Sequence, residues 1–228
     1  MNLFLGDSHI LCLEEFQNTN NHLHQFSGSS IRGLINDNSK SNTRNEIFKI
    51  IEKNQYDNLF IMFGKVDLEW VYPYKNNINN INIYDFIDET IDIYVKFINE
   101  ISNNFKNIYI MGLHLPSLES IDMLKCINEY GAFNDVSKKA NVYENYKIIE
   151  NIPNLNERTQ YIISFNEKLK LKFCNFEKYE FIDITNELLD ENKKLKSKFI
   201  NQNDHHLNRK ITGITWHNIF LKNNINLN

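Results

Sequence analysis

Residues 57–67 read DNLFIMFGKVD: an unbroken apolar run from Leu59 to Phe63, halted by Gly64. A strand with one face in water alternates apolar and polar residues. A run without alternation is what a strand buried on both faces requires. NLFLG at 2–6 and NIYIMG at 107–112 repeat the plan of apolar run then breaker. YEFIDI at 179–184 is a further strand candidate. A short strand is expected around Leu23–Ser27, ending in the turn-like SGSS.

Between these runs the period changes. In SNTRNEIFKIIEKN (41–54), Ile47, Ile50 and Ile51 fall on one helical face, with Asn42 or Thr43 as cap and Glu46 completing a capping box. IYDFIDETIDIYVKFINEIS (83–102) is the longest helical pattern, carrying Phe86, Ile87, Ile91, Tyr94, Val95 and Ile98 at three- and four-residue intervals. Further helices are expected near 157–173 and 212–222. Strands separated by helices imply a parallel sheet covered on both faces. The expected fold is α/β, a three-layer α/β/α arrangement around a flavodoxin-like parallel sheet of about five strands. The 228 residues suit a single domain, 1–228, with an insertion around 117–156.

Composition narrows the function. The formal charge is −4, without the basic excess of a nucleic-acid binder. The three cysteines, Cys12, Cys126 and Cys174, form no C-x-x-C pair, which speaks for reduced thiols rather than a disulfide framework or zinc knuckle. The opening apolar run is shorter than a signal peptide's, and no segment approaches the roughly 20 apolar residues of a membrane span. The expectation is a cytoplasmic protein. The abundant asparagine, as in NNINNINIYDF (76–86), reads as codon bias rather than a prion-like tract.

In open parallel sheets, functional groups gather beyond the carboxyl ends of the strands. Gly6-Asp7-Ser8, Ser27-Gly28, Gly64–Asp67 and His114 all sit at such ends. The opening stretch NLFLGDSHI (2–10) allows three readings. It is a structural turn capped by Asp7, a D-x-H metal-ligand pair, or a nucleophilic serine at a helix start. The further Gly-Asp, Gly-Asn-His and Gly-His-x-His elements of metallophosphoesterases are missing, and His22 and His24 lack nearby acids. The G-x-S-x-G elbow is missing too. His9, one residue past Ser8, is expected to be a wall of the site or a packing residue rather than a base.

Four blocks together resemble the SGNH/GDSL hydrolases: GDSH at 6–9, FSGSSIRGL at 26–34, FGKVD at 63–67 and NDHHLN at 203–208. They occur in that family's order and span most of the chain. The resemblance is closest to a GDSH-type branch whose third block reads F-G-x-V/I-D. It implies Ser8 as nucleophile, with the backbone N–H groups of Ser8 and Gly28 forming the oxyanion hole. His206 would be the general base and Asp204 its orienting acid, in a D-x-H spacing that departs from the family's D-x-x-H. Asn203 stands at the family's acid position, and His205 is the alternative base. The third block departs further, because Val66 occupies the place of the family's oxyanion-hole Asn. Lys65 is the nearest substitute donor by sequence. Asp7, Arg32, Gly64, Lys65, Asp67 and Trp70 are the candidate substrate-binding residues, with Lys65 or Arg32 expected to face the crevice and favour an acidic substrate.

The implied activity is acyl-ester hydrolysis through an acyl-serine, without cofactor or metal. The partner would be a small-molecule or glycan ester. The aromatic stretch DLEWVYPYK (67–75) offers Trp70, Tyr72 and Tyr74 for stacking on sugar rings, and Glu69 and Lys75 for hydrogen bonds. That favours removal of a small acyl group, such as acetyl, from a carbohydrate. The competing expectation, drawn from Val66 and the D-x-H spacing, is a weak or inactive carbohydrate-binding or interaction module on the same fold. Acyl transfer and metal-dependent phosphoester cleavage stand behind both.

Overall fold

Each expected apolar run forms a strand. In a computed structural model, which describes residues 1–36, 39, 41–130, 149, 151–201 and 204–227, β1 (Asn2–Gly6), β2 (Asn21–Gln25), β3 (Asn58–Met62), β4 (Asn107–Met111) and β5 (Tyr179–Ile182) make one sheet. The order is β2-β1-β3-β4-β5, every pair parallel. This is the flavodoxin-like doubly wound order, which reverses direction between β1 and β3 and opens a crevice beyond their carboxyl ends.

The helices are α1 (Thr43–Lys53), α2 (Tyr72–Asn79), α3 (Ile83–Ile101), α4 (Ser120–Tyr130), α5 (Leu155–Phe173), α6 (Thr185–Leu188) and α7 (Arg209–Lys222). A 3-10 helix, Ser8–Phe16, leaves β1, and a π-helical turn, Asp67–Val71, precedes α2. On β1, β3 and β4, Phe4, Phe60 and Tyr109 lie at matching register positions and stack at 4.4 and 4.6 Å between ring centroids. Phe60 also meets Phe220 of α7. On α3, the Tyr94 hydroxyl accepts the Phe63 backbone N–H at 3.1 Å, tying that helix to the end of β3.

At the opposite end, β1, β2, β3 and β4 each begin with asparagine at one register level. The Nδ2 of Asn2 donates to Asn21 at 2.6 Å, that of Asn58 to Asn2 at 2.7 Å, and that of Asn107 to Asn58 at 2.8 Å. Four of the asparagines read as codon bias therefore form a hydrogen-bonded ladder closing the amino end of the sheet.

Some local expectations are corrected. β2 starts two residues earlier than expected, because Phe26–Ser29 already forms the turn. The capping box at α1 does not form: Asn42 is left-handed, at φ 51°, and makes no side-chain cap. Thr43 Oγ1 instead engages Ser29 Oγ at 2.5 Å and Ser41 Oγ at 2.9 Å. A capping box does form at Asn154 and Glu157 of α5. Of the expected insertion, α4 and 151–156 lie among the described residues, whereas 131–148 and 150 lie outside them. Leu118, Met123, Ile127 and Ile149 pack there as a second small apolar cluster against Trp70 and Tyr74. Among the described residues no helix is long and apolar enough to cross a membrane.

Candidate active site

The turn out of β1 depends on Gly6. A Cβ there would stand 2.7 Å from the Met62 carbonyl oxygen and 2.8 Å from Ile10 Cβ, so only glycine lets the chain reverse against β3. Asp7 then caps the 3-10 helix, its Oδ1 accepting the His9 backbone N–H at 3.0 Å, and Ser8 becomes the first helical residue. From the other side, Asn208 caps α7 by accepting the Ile211 N–H at 3.2 Å. The loop before it is fastened by Asn208 N–H donating to Phe199 O at 2.8 Å. Ser117 Oγ donates to the backbone oxygens of Asp204 and His205.

The two helices meet at Gly213, where a Cβ would lie 2.3 Å from the Cys12 carbonyl oxygen. That close approach brings the Asp204–His206 loop over Ser8. The His206 Nδ1 lies 2.7 Å from Asp204 Oδ1, and its Nε2 lies 2.7 Å from Ser8 Oγ. The same Asp204 oxygen accepts the His206 backbone N–H at 3.0 Å. A spacing of two residues thus lets one carboxylate oxygen hold both the backbone and the ring of the histidine. Burial works against the Asp204 charge, yet the two bonds from His206 outweigh it and hold the carboxyl below its usual range. An ionised Asp204 fixes the Nδ1–H tautomer, so Nε2 accepts the Ser8 hydroxyl proton.

Asp7 and His9 repeat the same D-x-H geometry. Asp7 Oδ1 takes the His9 backbone N–H and its Nδ1–H, the latter at 2.9 Å. Both side chains are buried, and His9 Nε2 has no partner among the described residues. Burial raises the Asp7 carboxyl to about 6, and burial followed by the Lys65 charge pushes His9 well below the usual histidine range. The rings of His9 and His206 lie 4.6 Å apart. His205 lies 3.9 Å from His206 and 5.4 Å from Trp70, ring to ring, and burial and His206 push it down to about 4.

These groups face a crevice of about 440 Å³ lined by Ser8, His9, Ser27, Gly28, Ser30, Val66, Trp70, Val71, His205 and His206. It opens beyond β1 and β3, where the strand order reverses. Gly28 holds φ at 71°, a left-handed conformation that glycine adopts freely. Among the described residues neither the Ser8 nor the Gly28 backbone N–H donates to a protein acceptor.

By sequence the chain matches no protein-family profile and no curated protein. Solved structures do resemble it. A protein assigned as an acylhydrolase from Bacteroides fragilis is 15% identical, with a TM-score of 0.55 over 100% of this chain and 88% of that one. A GDSL-like lipase from Bacteroides thetaiotaomicron is 15% identical, with a TM-score of 0.54 over 98% and 86%. A protein assigned as a platelet activating factor from Streptococcus pneumonia is 16% identical, with a TM-score of 0.51 over 99% and 83%.

The fold is that of the SGNH/GDSL hydrolases. On this SGNH fold, the candidate residues separate into two groups. Ser8, Gly28, Trp70, His205 and His206 line the crevice, and Asp204 stands behind His206. Asn203 lies outside the described residues.

Asp7, Arg32, Gly64, Lys65 and Asp67 do not line the crevice, which corrects their expected role as substrate contacts. Lys65 is 1% exposed and points inward to Glu69 at 3.1 Å, in an i,i+4 ion pair that also holds Arg158 at 3.2 Å. Burial lowers the Lys65 ammonium, with Glu69 opposing it. The Arg32 guanidinium turns away to Glu89 and Thr90 and stacks over Phe86 at 4.4 Å. Asp67 accepts the Ile31 backbone N–H at 2.7 Å, which fastens the second-block loop, and burial raises its carboxyl to about 7. Gly64, at φ 130°, is packed by Ile31, Phe165 and Leu113.

The aromatic stretch is corrected likewise. Tyr72 is buried against Phe86 and Tyr161, Glu69 belongs to the ion-pair network, and Lys75 lies over Phe86. Only Trp70 of the expected sugar-stacking residues reaches the crevice. His114, at the end of β4, is buried and accepts the Trp216 indole N–H at 2.9 Å. Sequence reasoning placed Ser27 at a strand end without a role and missed Ser30 and Val71 as walls. Their signal was the strand-end position of the SGSS turn and the helical period after Asp67.

Proposed function

We propose that this chain is a serine ester hydrolase that works through an acyl-serine at Ser8. The observation that carries the reading is the Asp204–His206–Ser8 relay, with both hydrogen bonds at 2.7 Å. Ser8 Oγ attacks the ester carbonyl carbon and His206 Nε2 takes its proton. The oxyanion is received by the free N–H groups of Ser8 and Gly28. Collapse expels the alcohol, which takes the proton back from His206. Water then attacks the acyl-serine with the same histidine as base, releasing the acid. No cofactor takes part. His205, without a bond to Ser8, is assigned to the crevice wall.

The substrate class follows from the walls. Among the described residues lining the crevice none is Lys, Arg, Asp or Glu, which suits a neutral ester and does not support the expected preference for acidic ones. Trp70 gives the crevice one flat aromatic wall beside His205. A small acyl group such as acetyl, carried on a carbohydrate, fits these features. A second reading, a carbohydrate-binding module without turnover, is favoured by one observation: Val66 lines the crevice at the place of the donor Asn.

Intact-mass detection of a fluorophosphonate adduct separates the two. One adduct, lost in Ser8→Ala and in His206→Ala, is the expected result. A folded native chain that takes no adduct would overturn the hydrolase reading in favour of the binding module.

A further inference from the structure

The D-x-H arrangement occurs twice, and its two imidazoles face one another. His9 is backed by Asp7 and His206 by Asp204, each through Nδ1. His205 closes the third side, and one ring nitrogen from each of His9, His205 and His206 lies within 4.8 Å of the others. His9 Nε2 is buried and unpartnered, although a buried ring nitrogen ordinarily finds a partner. A carboxylate behind a histidine fixes the tautomer and raises the basicity of the far nitrogen, the outer-shell arrangement found at protein metal sites.

We propose that His9, His205 and His206 form an inhibitory binding site for a borderline transition-metal ion, Zn²⁺ foremost, and that the ion shuts the hydrolase by taking His206 away from Ser8. Three neutral imidazoles suit Zn²⁺, Cu²⁺ or Ni²⁺ and do not suit Mg²⁺ or Ca²⁺. Tetrahedral Zn²⁺ with Zn–N bonds of 2.0–2.1 Å needs ring nitrogens about 3.3 Å apart. The cluster therefore closes by up to about 1.5 Å on binding. The movement falls to His205 and His206, which lie on the loop before α7 and are partly exposed, whereas His9 is locked beneath them. The His206 Nε2 lone pair serves either the Ser8 hydroxyl or the ion, not both. Binding and serine activation are therefore mutually exclusive.

The binding half of this inference stands without the hydrolase reading; the inhibitory half rests on it. Zn²⁺ affinity of the metal-free chain is measured against a chromophoric chelator, and Co²⁺ is added to record its visible bands. Fluorophosphonate labelling is followed in parallel with Zn²⁺, with Mg²⁺ and with chelator. The expected result is one Zn²⁺ per chain and a Co²⁺ spectrum of nitrogen ligation without a thiolate charge-transfer band. Labelling is then slowed by Zn²⁺ and restored by chelator, with no effect of Mg²⁺. His9→Asn and His205→Asn should abolish tight binding, and Asp7→Asn, which removes only the outer partner, should weaken it by about 10–100-fold.

Zn²⁺ binding that is undetectable, or unchanged in both histidine variants, would overturn the site. If those variants do not fold, the Co²⁺ spectrum of the native chain decides, and thiolate bands would overturn it equally. A chain that binds Zn²⁺ through these histidines but takes no fluorophosphonate would keep the site and refute the hydrolase. A chain that labels equally with and without bound Zn²⁺ would refute the inhibition.

Discussion

Val66 and Asp204 set what the site can do residue by residue. Val66 lines the crevice but offers no donor, and an oxyanion-hole donor is typically worth about 10²–10³ in rate. Val66→Asn places an amide where only methyls stand, in a backbone already suited to it at φ −61° and ψ −39°. The expected outcome is a rise of about 10–10² in kcat on a neutral ester with little change in KM, read by steady-state kinetics. An unchanged kcat would mean that the oxyanion does not form beside this residue. Asp204→Asn makes a different change. The asparagine oxygen can still accept the His206 backbone N–H, so the turn survives, but no negative charge remains to stabilise the imidazolium. Fluorophosphonate labelling should slow by about 10³–10⁴ while Tm stays near the native value. A labelling rate close to native would shift the acid role to a residue other than Asp204.

Elements, rather than residues, bring Ser8 and His206 together, because the two sit at opposite ends of the sequence. Their meeting depends on α7 lying against the Ser8–Phe16 helix at Gly213, with no room for a Cβ. Gly213→Ala forces that helix pair apart by pushing against a backbone carbonyl, which cannot swing aside as a side-chain tip does. Overpacking of this kind typically costs about 1–3 kcal/mol, and the His206–Ser8 bond should lengthen with it. The expected outcome is a lowered urea midpoint and slower fluorophosphonate labelling of the still-folded chain. Full labelling at a lowered midpoint would leave the interface structural only. None of this was legible in the sequence, since Gly213 sits inside an ordinary helical pattern. What was legible follows from apolar runs and breakers. β1, β3 and β4 announce themselves because burial on both faces removes polar residues from them. Ser8 and Gly28 announce themselves because strand ends collect functional groups, whereas the Asp204–His206 loop follows no strand and is read only from the resemblance of NDHHLN to a family block. Lys65 misled because a buried lysine paired within one turn to Glu69, which in turn also pairs with Arg158 of α5, looks in sequence like any surface lysine. The capping box at α1 failed because Thr43 is drawn to Ser29 instead, a tertiary preference no local pattern records.

At the scale of the whole molecule, the chain holds several ionisable groups away from water beneath the crevice: Asp7, Asp67, Lys65, Glu69, His9 and His114 are all buried. Their titrations pull stability in opposite directions. Burial lowers His9 and His114 well below the usual range, so the unfolded chain binds protons more readily than the folded one below about pH 6.5. These groups therefore take stability away as pH falls. Asp67 does the reverse. Its folded carboxyl titrates at about 7 against roughly 3.9 unfolded, so between those values the folded chain keeps a proton that the unfolded chain has lost. Stability from this group is fully present below about pH 4 and drains away as pH rises toward 7. The native curve sums both effects and should show little of either, but a variant isolates one. Asp67→Asn cannot ionise, keeps an oxygen for the Ile31 N–H, and should change the unfolding free energy little near pH 4. As pH rises, its difference from the native chain should move in the variant's favour by up to about 1.4 kcal/mol per pH unit, levelling off above roughly 7. Urea unfolding of both chains across that range measures the difference. A flat difference would mean that Asp67 is ionised throughout, held charged by the Ile31 and Arg32 N–H groups against its burial. The third-block aspartate would then hold its loop as an anion rather than as a neutral acid.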